Sequence, residues 1–370
     1  MKRVFAILVA FLIFIFTFNT TACAKELTAS AQAYVLYCVE NETVVLSQNA
    51  DVKMKPASTT KVMTTLLALE EVKKNDRRVQ FNKEMIAEGS SMYLKAGDTV
   101  HLSDLAKGMM MASGNDAANA VALTLCDSIP DFAKLMNKKA DKIGMENTNF
   151  VTPSGLDDDN HYTTALDMAH LFAYALQNED FAEITKSKSL DVNFLSPQKT
   201  VTYQNHNRLL SLYPHCIGGK TGFTKSAGRC LVSGAKKDGV TLVCVTFNAP
   251  DDWNDHIKMY DYGFNKLSAI DTENDDTFQI DVVGGEKDFV TLYCDDTAGA
   301  VVSSEYADDV KKTVLTPSFL YAPVSSGDFV GVVRYTLDDK VLVSHPLYAQ
   351  NNIDIKKKKS FFTFLNGIFS

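Results

Sequence analysis

The chain has 370 residues, of which 46% are hydrophobic, enough to fill two globular cores and to exclude a disordered protein. Its formal charge of −8 excludes nucleic acid as a main partner, because such a binder needs a basic surface to displace phosphate counterions.

Lys2 and Arg3 precede an apolar run over residues 4–18 and a polar end that reads Ala22-Cys23-Ala24, the layout of an export signal (residues 1–24) cleaved after Ala24. An uncleaved anchor or a lipidated Cys23 starts the same way. The run, however, falls short of the roughly 20 residues a span needs, and Thr20 stands where a leucine is usual before a lipidated cysteine. Six cysteines remain beyond the signal, an even number compatible with disulfides in an exported protein, but their wide spacing is unlike a dense framework. Cys230 and Cys244 flank a hairpin signal and either face each other or serve as small core residues.

Residues 33–39 and 43–46 alternate as an opening hairpin around Glu40-Asn41-Glu42. A helical period follows over residues 58–74, with Pro56 as its start signal, so Ser58 sits at a helix N-terminus. The middle reads as helical over 102–126, 131–143 and 165–176, and Met109 to Met111 read as core filling. Strand character returns at 229–235 and 240–247, arms of an antiparallel hairpin about residues 236–239. Strands at both ends with helices between imply one sheet that the chain leaves and rejoins, giving an α+β domain over residues 25–268.

After an acidic stretch at 271–276 the pattern becomes short strands only, at 278–283, 289–294, 310–315 and 331–344, the last folded about Asp338-Asp339. A second, all-β domain is expected over residues 275–351. Residues 352–370 then form a basic, aromatic tail. Lys356 to Lys359 precede Phe361, Phe362, Phe364, Leu365, Ile368 and Phe369, which fall on one helical face. That stripe is too short to span and suits an anionic membrane interface; the alternative is a helix docked on its own protein.

A serine hydrolase needs a base beside its hydroxyl, and Ser58-Thr59-Thr60-Lys61 places an amine one helical turn from one. A helix N-terminus and a second cation both disfavour the ammonium form, which makes the amine useful as a base. The spacing recurs at Ser196 to Lys199 and Ser233 to Lys236, but Pro197 and a strand setting at Ser233 take those two out of a helix start. Two further elements follow in order, Ser113-Gly114-Asn115 and Lys220-Thr221-Gly222, and the second occurs once. The order Ser-x-x-Lys, Ser-x-Asn, Lys-Thr-Gly is that of penicillin-binding proteins and class A β-lactamases. The histidines show no zinc-peptidase spacing, and neither a Gly-x-Ser-x-Gly nor a dinucleotide fingerprint is present, so no metal and no cofactor is expected.

Around these motifs, residues 95–99, 105–116, 152–156 with 161–165, 205–210 and 219–224 followed by Ala227-Gly228 resemble low-molecular-mass D-alanyl-D-alanine carboxypeptidases. The resemblance is close over residues 30–265, while the later domain and tail match that family's layout. It implies a β-lactamase/transpeptidase-like fold, with an antiparallel sheet flanked by helices and a helical insertion, followed by a small all-β domain. It also implies a serine-type carboxypeptidase acting on the peptidoglycan stem peptide and acylated by β-lactams. The protein would then work outside the cell, at the outer face of the cytoplasmic membrane or in the wall.

On that resemblance Ser58 attacks the penultimate D-Ala carbonyl and Lys61 takes its proton. Ser113 relays a proton to the leaving amine, and Asn115 holds Lys61 and a substrate amide. Lys220 and Thr221 bind the terminal carboxylate, Gly222 lets substrate lie against its strand, and the amides of Ser58 and Phe223 form the oxyanion hole. His161 is expected to be structural. Two alternatives stand beside this reading: a D,D-endopeptidase on the same scaffold, and a wall-binding scaffold without turnover. A β-lactamase is disfavoured by the lack of a Glu-x-x-Leu-Asn stretch between the second and third motifs.

Overall fold

The computed structural model describes residues 27–272, 278–294 and 299–357; the signal segment and residues 358–370 of the tail lie outside them. The opening hairpin forms as strands β1 (Ala33–Cys38) and β2 (Thr43–Gln48), with every residue of β1 buried. A one-turn helix at Ala57–Thr60 leads into α1 (Lys61–Val72). Short strands β3 (Arg78–Gln80) and β4 (Thr99–His101) precede α2 (Leu102–Ala112) and α3 (Asn115–Leu125). The periodicity over 102–126 had suggested one helix. Ser113 instead takes a left-handed conformation, φ 56°, and turns the chain between two helices.

Helices α4 (Ile129–Lys142), α5 (Ala165–Leu176) and α6 (Glu179–Lys186) complete the helical layer, and each is capped by a side chain, from Ser128, Thr164 and Asn178. A hairpin of β5 (Ser189–Ser196) and β6 (Gln198–Gln204), absent from the sequence expectations although Leu190, Val192, Phe194, Val201 and Tyr203 alternate with polar residues, joins β3 and β4 in a four-stranded sheet. After the single turn α7 (Leu209–Leu212), the chain rejoins its first sheet through β7 (Cys216–Thr224), β8 (Gly228–Lys237) and β9 (Val240–Phe247).

That sheet has the order β2-β1-β9-β8-β7, antiparallel throughout, with β7 on an edge. All eight residues of β9 are buried, because helices cover one face and α8 (Asp252–Lys266) the other. This accounts for the unbroken apolar run at 240–247. Cys230 and Cys244 stand opposite Phe247 and Ser233, and the cysteines among the described residues are free. Core filling, the second sequence reading, is the one the sheet supports.

Strand β10 (Leu267–Ile270) leads to the later domain, built from β11 (Phe278–Val283), β12 (Phe289–Tyr293), β13 (Ala300–Ser303), β14 (Lys311–Leu315), β15 (Phe319–Tyr321), β16 (Phe329–Leu337) and β17 (Lys340–Ala349). Six of these form a sheet of order β14-β16-β17-β12-β11-β15 over a separate core that includes Ile280, Leu292, Val333 and Leu347. β13 pairs with β10, and Val301 packs in the same core as Tyr260. Past residue 351, Ile353 bridges to Val324 and Ile355 to Gly285, so β pairing continues into the segment expected as tail.

Helix α1 carries the candidate base at its start, directly after the turn that holds the candidate nucleophile, and is anchored by its buried apolar face, Met63 and Leu66 included. Leu66→Ala should cost about 2–5 kcal/mol of stability through lost transfer energy and a cavity, read as a lower urea midpoint with unchanged slope.

Candidate active site

Three segments that are distant in sequence meet at one cavity of about 540 Å³, lined by Ser58, Ser90, Ser113, His206, Thr221, Gly222, Phe223, Arg229, Asp252 and Trp253. Ser58 sits in the one-turn helix ahead of α1. Its neighbour Ala57 is left-handed at φ 48°, a strained conformation for a residue with a Cβ. Gly155, at φ 82°, backs this turn so closely that a Cβ there would lie 1.8 Å from the Ala57 carbonyl oxygen. Gly222 fits the other side, where a Cβ would stand 3.0 Å from the Ser58 nitrogen. The nucleophile turn is thus clamped between two backbones.

Lys61 is fully buried, with Nζ 2.8 Å from Ser58 Oγ, 2.7 Å from Asn115 Oδ1 and 2.7 Å from the Ser154 carbonyl oxygen. Burial, the nearby Lys220 charge second, holds its pKa well below the usual lysine range, against an opposing pull from Asp116. Burial is therefore the main cause, ahead of the helix-end effect that the sequence suggested. A neutral amine has two N–H bonds and one lone pair. In that neutral form, with Asn115 Oδ1 and the Ser154 carbonyl taking the two N–H bonds, the lone pair would be free to accept from the Ser58 hydroxyl.

The break between α2 and α3 supplies the second group. The left-handed turn at Ser113 sets its Oγ 3.0 Å from Lys220 Nζ, while Asn115 Nδ2 donates to the Glu88 carbonyl. Buried Asp116 accepts from the amides of Met92 and Leu94 and from the Ser91 hydroxyl, fixing the loop that borders the cavity at Ser90. The sequence marked Asp116 only as part of a motif; this bracing role arises from contacts more than 20 residues away.

Edge strand β7 supplies the third. Lys220 is buried, and desolvation lowers its pKa to about 7; besides Ser113 it donates to the Thr221 carbonyl. The Thr185 hydroxyl closes the outer edge at Gly219, exchanging hydrogen bonds with both its amide and its carbonyl. Outward residues alternate along a strand, so the Phe223 amide faces the same open edge as the polar backbone of Gly219 and Thr221. Arg229, opposite Phe223 on β8, pairs with buried Asp252 at 2.6 Å and lies over Trp253. Neither Arg229 nor His206 is marked as cavity-lining by its local sequence, since the cavity brings them together only in the fold.

His161 Nδ1 accepts the amides of Val151 and Thr152, leaving Nε2 to donate to Thr60 Oγ1 at 2.9 Å, so it ties the 152–156 loop to the nucleophile turn. The decoy Ser233 hydrogen-bonds buried His256 and Tyr260, and the decoy pair at 196–199 spans the β5–β6 turn; neither faces this cavity.

A hydroxyl 2.8 Å from a buried amine, beside an open strand edge, is the arrangement that acyl transfer by a serine hydrolase requires. The comparisons make this particular. The family model described as D-alanyl-D-alanine carboxypeptidase matches residues 19–251, and that of the penicillin-binding protein 5 C-terminal domain matches 272–354. D-alanyl-D-alanine carboxypeptidase DacF of Bacillus subtilis is 31% identical over 95% of this chain and 94% of its own. DacC of Escherichia coli is 33% identical over 92% and 90%. Penicillin-binding protein 5 of Haemophilus influenzae aligns with a TM-score of 0.66 at 29% identity, covering 88% of this chain and 98% of that one. The chain belongs to the D-alanyl-D-alanine carboxypeptidase family, and its activity is that of a serine-type carboxypeptidase.

Desolvation lowers the His161 pKa to about 4, against about 6.5 when the chain is unfolded. The unfolded state therefore binds the extra proton between these values, and the contribution present above pH 6.5 is lost as pH falls, in total about 3 kcal/mol. Urea unfolding at pH 7 and pH 4.5 should show a stability difference about 2 kcal/mol smaller in His161→Gln than in the parent.

Proposed function

We propose that Ser58 is the nucleophile of this carboxypeptidase and Lys61 its base; the observation that carries the reading is a buried amine 2.8 Å from the Ser58 hydroxyl, its pKa held well below the usual lysine range by burial. Substrate lies along the open edge of β7 as an added strand. Ser58 Oγ bonds to the carbonyl carbon of the penultimate D-Ala of a stem pentapeptide as its proton passes to Lys61 Nζ. The oxyanion sits between the amides of Ser58 and Phe223. The carbon–nitrogen bond then breaks as Lys61 returns that proton to the leaving amine through Ser113, so that free D-Ala departs and Lys61 is neutral again.

Water attacks the resulting ester, gives its proton to Lys61, and regenerates the Ser58 hydroxyl. Asn115 holds Lys61 in line. Lys220 and Thr221 receive the terminal carboxylate, helped by the positive charge of Arg229 on the same cavity wall, and Gly222 keeps the strand free of side chain where substrate passes. A β-lactam carbonyl enters the same path and stays as the acyl-enzyme. D,D-endopeptidase action on crosslinks uses the same groups.

The reading extends to the whole chain. Residues 1–24 are an export signal, 25–268 the catalytic domain and 275–351 the β-domain, and the basic, aromatic residues up to 370 hold the enzyme on the anionic outer face of the cytoplasmic membrane. The charge and aromatic pattern of the tail supports that location.

Mass spectrometry of the purified chain with a penicillin should find one covalent adduct on Ser58, and stem pentapeptide should yield D-alanine. Ser58→Ala should abolish both, with D-alanine release falling at least about 1,000-fold. Persistent adduct formation in that variant would contradict the assignment.

A further inference from the structure

One face of the six-stranded sheet packs the β-domain core, and strand register decides what stands on the other. Phe289 lies opposite Asp281, Asp281 opposite Phe319, and Val283 opposite Tyr321; direct cross-strand partners share a face. Phe289, Val283, Phe319 and Tyr321 are all exposed, Tyr321 to 70%, and the rings of Phe319 and Tyr321 meet at 5.2 Å. The strip runs on through Tyr293, Tyr348 and Phe329, whose rings lie 5.9 and 6.2 Å apart in sequence. An exposed face this rich in aromatic side chains, interrupted on these strands by Asp281 and Thr291, marks contact with another surface.

The point where the chain leaves the β-domain says which surface. Ile355 bridges Gly285 and the Lys356 amide donates to the Gly284 carbonyl, directly after Val283. The Ala322 amide donates to the Val283 carbonyl, so the Tyr321 end of β15 reaches the same corner. From here Lys357 leads into Lys358, Lys359 and the aromatic residues of the last 13 positions, 358–370. We propose that this corner, with Val283, Phe289, Phe319, Tyr321 and exposed Ile355, enters the headgroup layer of an anionic bilayer as a second contact beside the tail.

The inference rests on the reading of the tail as a membrane anchor. In the folded corner Lys287, Lys356 and Lys357 stand beside Glu286, Asp288, Asp354 and Asp281, a formal balance of −1 that gives the corner no pull toward anionic headgroups. The strip's own attraction is therefore apolar and resists salt, whereas that of the tail lysines is screened by it. Asp281, between Phe289 and Phe319, limits the depth to the interface.

The test is sedimentation with vesicles of phosphatidylethanolamine and phosphatidylglycerol, using the full chain and a chain ending at Lys357. D-alanine release from soluble pentapeptide reports that each variant is folded. The paired substitution Phe319→Ser and Tyr321→Ser should weaken full-chain binding about tenfold in high salt and remove the residual binding of the shortened chain. Unchanged binding in both backgrounds would overturn the proposal while leaving the tail as anchor. Equal binding by the full and shortened parents would instead refute the tail reading and leave the strip standing. Capture of the shortened chain by purified glycan strands or by a second copy, without vesicle binding, would assign the strip to that partner and overturn the bilayer.

Discussion

Two amines share one dry site, and the rest of the active-site architecture follows from that constraint. Lys61 and Lys220 are both buried, and two ammonium groups at this separation from water cannot both keep their protons cheaply. The structure separates their roles by their partners. Lys61 has two oxygen acceptors and the Ser58 hydroxyl within 2.8 Å, which suits the base proposed for it. Lys220, with a pKa near 7, donates to a hydroxyl and a carbonyl, which suits the carboxylate contact proposed for it.

Holding that arrangement takes rigid backbone more than extra side chains. The nucleophile turn carries a left-handed alanine and is clamped by Gly155 and Gly222; any larger residue at Gly155 would displace the carbonyl of Ala57. Asp116 ties the start of α3 to the Ser90–Leu94 loop, and His161 ties the loop after Val151 to Thr60. The polar groups of these braces are satisfied inside the protein, which is what lets them stay buried near two lysines.

Much of this was legible in the sequence. The hairpin at 33–46, the helix after Pro56, the sheet rejoined at 229–247 and the late all-β domain all carry a local period or turn signal, and all form. The named residues of the three motifs line one cavity or reach it through hydrogen bonds. Other features carried weaker signals that the helical period over 102–126 and the polar residues around Pro197 obscured: the turn cluster Ser113-Gly114-Asn115 inside that period, and the alternation of Leu190, Val192 and Phe194 in β5. Arg229 and Asp252 look like ordinary surface charges until the sheet and α8 bring them together at the cavity. Periodicity reports the face an element buries; it says little about which distant element it meets.

The central claim is that Lys61 stands neutral beside Ser58 in the resting enzyme. Nitrogen NMR of the ¹⁵N-lysine-labelled protein, with Lys61 assigned by a Lys61→Arg control, measures this directly as pH is varied. A Lys61 Nζ resonance in the free-amine range at neutral pH, moving to the ammonium range only on acidification, is the predicted result. A resonance that stays in the ammonium range up to the pH where an exposed lysine titrates, about 10, would contradict the account.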